Sequence, residues 1–299
     1  EWRDGERVFS ARLGGYSESR GAGLIGAESV SDGASLSVTL AAPAGDVAWR
    51  PLAHYGREGR LESVHNAIEG GKIIITSLGA RPEINDAVHS YGGIVLHDVI
   101  NNEFAHKAID KGADGIIAVA AGAGGHAGTQ SPLALIREIR EWFDGPLLLS
   151  GAIAHGRSIL AALAAGADFA YAGSAFLSTH EANAVSEYKQ MIVDSSASGI
   201  VYSNLFTGVH GNYLRGSIVA AGLDPDNLPE SDPSAMNFGS GGDSDAKAWK
   251  DIWGAGQGVG SIKDRGSVAE LVAELRAQYD EARRDLRDTL FADELSPAV

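Results

Sequence analysis

Between about residues 70 and 180 the chain repeats one pattern: a short apolar run, a loop of small residues, a segment with apolar positions every three or four residues, then the next apolar run. The runs at 72–77 (KIIITS), 94–98 (IVLHD), 115–120 (GIIAVA), 146–150 (PLLLS) and 168–173 (DFAYAG) predict strands buried on both faces. The segments between them, 81–90, 102–111, 131–143 and 157–165, predict helices. The third is the clearest: Ser131 is placed to cap it, Pro132 suits its first turn, and Leu133, Ile136, Ile139 and Phe143 make one stripe. Strands alternating with helices of this length predict parallel pairing through right-handed crossovers.

Outside this region the pattern changes. Upstream, 23–27 and 35–40 read as two more strands and 7–10 as a further one, while 1–65 otherwise shows little periodicity. Seven strands and an eighth predict an α/β fold of the (β/α)8 TIM-barrel type rather than an open sheet. Downstream, 181–194 has helical composition, 204–217 (NLFTGVHGNYLRGS) is loop-like, and 267–290 is a helix with Val268, Leu271, Val272 and Leu275 on one face. The expected organisation is a barrel over 1–180, an insertion or lid over its active-site end at 181–250, and C-terminal helices completing the barrel at 251–299.

Composition narrows the function. A hydrophobic fraction of 44% in 299 residues supports a sizeable core. No apolar run reaches the ~18 residues of a membrane span, and the polar start has no signal-peptide pattern, so a soluble, cytoplasmic protein is expected. Zero cysteines exclude thiolate metal sites and a cysteine nucleophile, and a net charge of −15 argues against a nucleic-acid surface. No HExxH, GxSxG or P-loop pattern occurs, so zinc protease, serine hydrolase and P-loop readings lack their signatures.

The 39 glycines carry the remaining signal. In a barrel, ligands sit at the loops after the strands. Three such loops are small or glycine-rich: 121–128 (AGAGGHAG), 151–156 (GAIAHG) and 174–176 (SAF). Exposed backbone N–H groups there would cradle an anion, with the helix starting near Arg157 adding its dipole. His126 alone among the histidines stands inside such a loop, where an imidazole would titrate near neutral pH and serve as a base or as a hydrogen-bonding loop residue. His97, with Asp98, also ends a strand, and a core or support role is expected for it. His155 and His180 read as surface or supporting residues, and the other histidines lack metal-ligand spacing.

The runs 112–128 (GADGIIAVAAGAGGHAG) and 150–182 (SGAIAHGRSILAALAAGADFAYAGSAFLSTHEA) closely resemble the nitronate monooxygenase family, formerly the 2-nitropropane dioxygenases. The likeness continues through 204–216 (NLFTGVHGNYLRG) and 249–264 (WKDIWGAGQGVGSIKD). It implies an FMN-dependent barrel that oxidises alkyl nitronates or nitroalkanes with O2 to a carbonyl compound and nitrite. The family's catalytic base falls on His126, and its flavin-lining glycines on Gly124 and Gly125. Its paired phosphate-binding glycines fall on Gly151 and Ala152, and its phosphate grip on Tyr171, Ala172, Gly173 and Ser174. An early strand's asparagine has its counterpart in Thr39. Val119 stands where many members carry a flavin-contacting glutamine, and the family's opening Ala-Pro-Met strand has no match. No GxGxxG links a strand to a helix, which favours FMN over a dinucleotide. The implied partners are a small nitro compound and O2, without metal, nucleic acid or membrane, and with a homodimer left open. Two alternatives remain: an NADH-dependent FMN enoyl-thioester (enoyl-acyl-carrier) reductase, and a non-catalytic flavin-binding relic.

Overall fold

The computed structural model describes residues 73–77, 79–231 and 251–290, together with short backbone strands within the first 41 residues. Those strands are β1 (Trp2–Asp4), β2 (Arg7–Phe9), β3 (Glu28–Val30), β4 (Gly33–Ser35) and β5 (Leu40–Ala41). They pair antiparallel among themselves, β2 between β1 and β5, and β3 with β4. The predicted strand at 23–27 and most of 35–40, Thr39 included, lie outside the described residues.

The repeating region forms β6 (Ile73–Thr76), α1 (Pro82–His89), β7 (Ile94–Val99), α2 (Asn102–Asp110) and β8 (Gly115–Val119). It continues with β9 (Gly125–His126), α3 (Pro132–Arg140), β10 (Leu147–Ser150), α4 (Gly156–Ala165) and β11 (Phe169–Tyr171). All five predicted strands are present, and all pairings in their sheet are parallel. Their order in space, β6-β7-β8-β10-β11, is their order in the chain. A doubly wound sheet reverses order at a switch point, whereas a barrel advances in one direction, as here.

Alternate residues along these strands divide between two cores, as the period of two requires. Ile74, Val95, Val99, Ile116, Ala118, Leu147 and Leu149 pack outward against helix residues such as Val88, Ala105, Leu135, Ile136, Ile139 and Ile159. Ile75, Leu96, Ile117, Val119, Leu148 and Tyr171 form a separate inner cluster. On α3 the buried positions are Leu135, Ile136 and Ile139, while Leu133 is 59% exposed, so the predicted stripe is rotated at its start. Ser131 precedes α3 but its side chain makes no capping bond, because Pro132 fills the first turn and the Ser131 carbonyl receives the Leu135 N–H.

The recurring Gly-Ala-Asp has a physical cause. Gly112 and Gly166 take φ of +92° and +110°, the left-handed conformation that ends a helix. Ala113 and Ala167 are buried, their N–H groups bonded to Ala108 and Ala162. Asp114 then donates its N–H to the Val95 carbonyl at 2.8 Å, and its carboxylate accepts the Val95 N–H at 2.7 Å. Asp168 repeats the pair on Leu147, at 2.8 and 2.9 Å. Each triplet therefore stops a helix and locks the next strand into register.

After β11 the chain forms α5 (Ser174–Leu177), α6 (Ser186–Asp194), β12 (Ile200–Ser203), β13 (Gly211–Leu214), α7 (Arg215–Ala220) and α8 (Val268–Leu290). The segment 204–217, expected as loop, thus contains a strand and the start of a helix. Its two glycines and polar residues mask a strand whose four residues are all buried. Val268 and Leu275 of α8 are buried and Leu271 and Val272 partly so, the predicted face. The helix packs so closely on α4 that a Cβ at Gly156 would collide with the Tyr279 backbone. Among the described residues no helix is long and apolar enough to cross a membrane.

Candidate active site

The loop after β8 is not a free turn. Gly122 and Gly125 take φ of +85° and +71°, and the chain doubles back until the Gly128 N–H reaches the Val119 carbonyl at 3.1 Å. On the way Gly125 and His126 form β9, the edge of an antiparallel sheet with β13 and then β12. His126 is opposite Gly211, and Gly125 opposite Asn212. The buried Asn212 amide donates to the Ala123 carbonyl at 2.6 Å, and the Tyr202 hydroxyl donates to the Ala127 carbonyl at 2.9 Å. The histidine is therefore held from both sides by residues about 80 positions away.

His126 is half-buried, with Nε2 2.9 Å from the hydroxyl of Thr207, which is itself buried. Burial pushes the His126 pKa down to about 4, so the imidazole is neutral at neutral pH. This differs from the near-neutral titration expected of a solvated loop histidine. His97 is also pushed down to about 4 by burial, but it shares the outward parity of Val95 and Val99 and bonds Thr76 Oγ1 through Nδ1 at 2.6 Å. Its role is in the packing between sheet and helices, as expected. Asp98, of opposite parity, is pushed up to about 7 by burial, opposed by a hydrogen bond from Ser77. Its charge helps hold the Tyr171 phenol well above its ordinary range, after burial.

The other expected site residues divide. Gly151 and Ala152 take φ of 144° and 55°, and Ala152 is the one non-glycine with positive φ among the described residues. The Ala152 N–H donates to the Gly122 carbonyl at 3.2 Å, tying this loop to that of β8. Gly173 caps α5, whose first N–H groups, from Ser174 and Ala175, have no intrahelical acceptor. The side chain of Tyr171 belongs to the inner cluster, whereas Ala172 packs beside Phe176 and Val268. Those two supply shape and backbone rather than a side-chain grip. The start of α4 does not supply the expected dipole cradle. Its Gly156 N–H is taken by Gln278 Oε1 at 2.9 Å and its Arg157 N–H by His155 Nδ1 at 3.0 Å. Val119 is buried in the inner cluster and contributes only apolar surface.

A fourth segment, 254–260 (GAGQGVG), joins the three loops and was not assigned to the site from sequence. The Gln257 N–H donates to the Gly122 carbonyl at 2.9 Å, and the Gly256 N–H to Ser174 Oγ at 2.9 Å. A Cβ on Gly124 would lie 2.7 Å from Gly256 N, and one on Gly256 would lie 2.5 Å from the Gly122 carbonyl oxygen. These contacts explain the glycines by close backbone approach. Their alternation at 254, 256, 258 and 260 was the legible signal. Thr207 and Asn212 carried none, because nothing local distinguishes a buried polar residue that orients a distant loop. Among the described residues no cluster of His, Asp or Glu could hold a metal ion.

Comparison with known proteins fits this arrangement. Residues 44–278 match the sequence model of the family described as nitronate monooxygenase. A nitronate monooxygenase of Neurospora crassa is 26% identical over 227 residues, 68% of this chain and 58% of that protein. The chain spans about half the length of the curated relatives it matches. Among solved structures, nitroalkane oxidase from Streptomyces ansochromogenes superposes with a TM-score of 0.63 at 26% identity, covering 77% of this chain and 71% of that one. FabK from Thermotoga maritima superposes with a TM-score of 0.61 at 20% identity, over 76% and 74% of the two chains, a likeness of fold alone.

Proposed function

The chain belongs to the nitronate monooxygenase family, and we propose that it is an FMN enzyme that oxidises alkyl nitronates and nitroalkanes with O2 to a carbonyl compound and nitrite. The observation that carries this reading is a neutral, oriented imidazole, His126, set beside a rim built almost wholly of backbone. The rim suits a flavin phosphate. Side chains beyond a methyl are nearly absent, Ala152 is held in a conformation normally left to glycine, and Ser174 Oγ accepts from Gly256 and so keeps its proton to donate. Gly151, Ala152, Gly173 and Ser174 would hold the phosphate, with the backbone of Tyr171 and Ala172 behind it. Gly124 and Gly125 would lie along the flavin, with Thr39 on the early-strand side. When bound, FMN supplies the redox chemistry.

The protein supplies the proton transfer. A neutral His126 takes the α-proton of a nitroalkane, while a nitronate, already without that proton, needs only a hydrogen bond to its nitro group. The inner face of the sheet, apolar from Ile75 to Leu148, keeps the reacting carbon away from water. In this reading 181–250 covers the active-site end, and 251–299 completes the barrel.

Oxygen uptake with nitroethane and with ethylnitronate tests the reading, together with mass spectrometry of the heat-released chromophore. FMN, and turnover of both substrates, are expected. His126→Ala should lose about 10²–10⁴ of the rate on nitroethane, far less on ethylnitronate, and keep its flavin. Because burial lowers the His126 pKa, the protonated, inactive form accumulates only as pH falls toward 4. The nitroethane rate should therefore stay level from pH 7 to about 5.5 and fall below it. NADH consumption with an enoyl thioester, FAD, or a flavin-free protein would each overturn the proposal.

A further inference from the structure

We propose that Thr207 is a positioning residue that sets the tautomer of His126, so that Nδ1 is the atom that takes the substrate proton. This rests on His126 being the base, and it adds which nitrogen acts and what fixes it.

The argument begins with one hydroxyl proton. Thr207 Oγ1 lies 2.9 Å from the Val209 carbonyl, to which it donates, and 2.9 Å from His126 Nε2. A threonine hydroxyl has a single proton and two lone pairs. With the proton on Val209, the contact to His126 is made by Nε2–H donating to a lone pair. A neutral imidazole protonated at Nε2 has its lone pair on Nδ1. Burial, which keeps the ring neutral, thus leaves one basic nitrogen, and the threonine decides which one.

The surroundings keep that hydroxyl in place. Thr207 is 1% exposed, in the connection between β12 and β13, where Gly208 takes φ of +76° and its N–H closes a turn on the Asn204 carbonyl at 2.8 Å. The Val209 N–H is 3.4 Å from the same hydroxyl oxygen, so the turn wraps around it. Asn204 in turn pairs with Ser231 through both its amide groups, at 3.2 and 3.1 Å. The Tyr213 phenol also meets the Thr207 hydroxyl; burial pushes its pKa up to about 12, so it adds no charge to the network. Thr207 is too deep to reach the reacting atoms except through His126.

In the reaction the α-C–H bond of the nitroalkane breaks and an Nδ1–H bond forms on His126. The electron pair of the broken bond moves into the nitro group, giving the nitronate. The ring becomes an imidazolium whose Nε2–H already points at an oriented oxygen, and that hydrogen bond strengthens as the charge appears. Loss of the hydroxyl should therefore act on turnover of the neutral nitroalkane more than on binding.

The holoenzyme labelled with [15N]histidine, its His126 signals identified by their loss in His126→Gln, reports the tautomer directly from long-range 1H–15N correlations. The Nε2–H form is expected at pH 7. Thr207→Val should give mixed tautomers and about 10- to 100-fold lower kcat on nitroethane with KM little changed, the scale of one buried hydrogen bond to the working group. Thr207→Ser should restore both, and ethylnitronate turnover should change little throughout. An Nδ1–H tautomer in the wild-type protein overturns the proposal, as does a Thr207→Val enzyme with unchanged tautomer and kcat. The wild-type spectrum and Thr207→Ser decide the matter even if Thr207→Val fails to fold. The tautomer is read without turnover, so these results are separate from the test of the base itself, which is nitroethane oxidation by His126→Ala.

Discussion

At the N-terminal ends of its strands the parallel sheet is entered through Gly112-Ala113-Asp114 and Gly166-Ala167-Asp168, and at the C-terminal ends it is left through Gly122–Gly125 and Gly151–Ala152. Both ends are rich in glycine, yet the glycines answer to different constraints. At the entrance one glycine per turn supplies a positive φ, and the aspartate after it pairs both main-chain groups of a neighbouring strand residue. At the exit, glycines let separate backbone segments approach within a distance no Cβ would allow, and the positive φ extends to an alanine. In barrels the first end reads as stability and the second as chemistry. The entrance is self-contained within each repeat, whereas the exit is assembled from four segments spread over some 140 residues.

The largest stability effect should come from the entrance. Arg140 donates to the carbonyls of Gly166, Phe143 and Gly145 at 2.7, 3.0 and 2.7 Å and to the Asp168 carboxylate at 2.5 Å. Its side chain is only 14% exposed. Arg140→Ala leaves these acceptors without their donor and should cost about 2–4 kcal/mol in urea unfolding. The Gly112 turn has a weaker counterpart, His89 to Asp114 at 2.8 Å, with both side chains near 40% exposed. His89→Ala should stay within about 1 kcal/mol. Neither should alter flavin content, and a loss of flavin in folded Arg140→Ala would erase the division of labour between the two ends.

This contrast also explains what could be read from the chain. The five parallel strands, their helices and the Gly-Ala-Asp turns were legible because their causes are local: apolar runs, a helix period, a glycine at the helix end. The rim glycines and His126 were legible as a pattern, but their partners were not. Thr207, Asn212 and Gly256 act across 81, 89 and more than 80 positions respectively. Residues 204–217 misled as a loop because β13 is short and its polar Asn212 is buried for a hydrogen bond rather than exposed. The dipole expected from α4 failed for a similar reason, since Gln278 of α8 had already taken its first N–H.

Asp98 offers a pH test of the inner face. Its carboxyl is pushed from an ordinary 3.8 up to about 7, chiefly by burial. Between about pH 4 and 7 the folded protein therefore holds a proton that the unfolded chain has released. Stability falls as pH rises through that window, and the loss is complete above about 7. Asp98→Asn removes the penalty, so its Tm should gain on the wild type between pH 5 and pH 8 and gain no more beyond. A Tm difference that is the same at both pH values would show that the inner face does not penalise the charge.

The smallest effect is the most direct reading of the exit's backbone. Ala152 has φ of 55°, where its Cβ crowds the carbonyl oxygen and L-residues lose roughly 1–2 kcal/mol, while glycine has no such penalty. Glycine also gives the unfolded chain more freedom, which returns part of that gain. Ala152→Gly should therefore stabilise by about 0.5–1 kcal/mol, seen as a higher urea midpoint at unchanged slope. The Ala152 N–H bond to Gly122 should persist, because it depends on backbone direction and not on the methyl. At the entrance the opposite change, Gly166→Ala at φ of +110°, should destabilise, since there glycine already occupies the strained position. Opposite signs at equivalent backbone conformations would show that the exit stores strain the entrance does not. If Ala152→Gly instead loses stability, the loop is held by packing of the methyl, and strain has no part in shaping the rim.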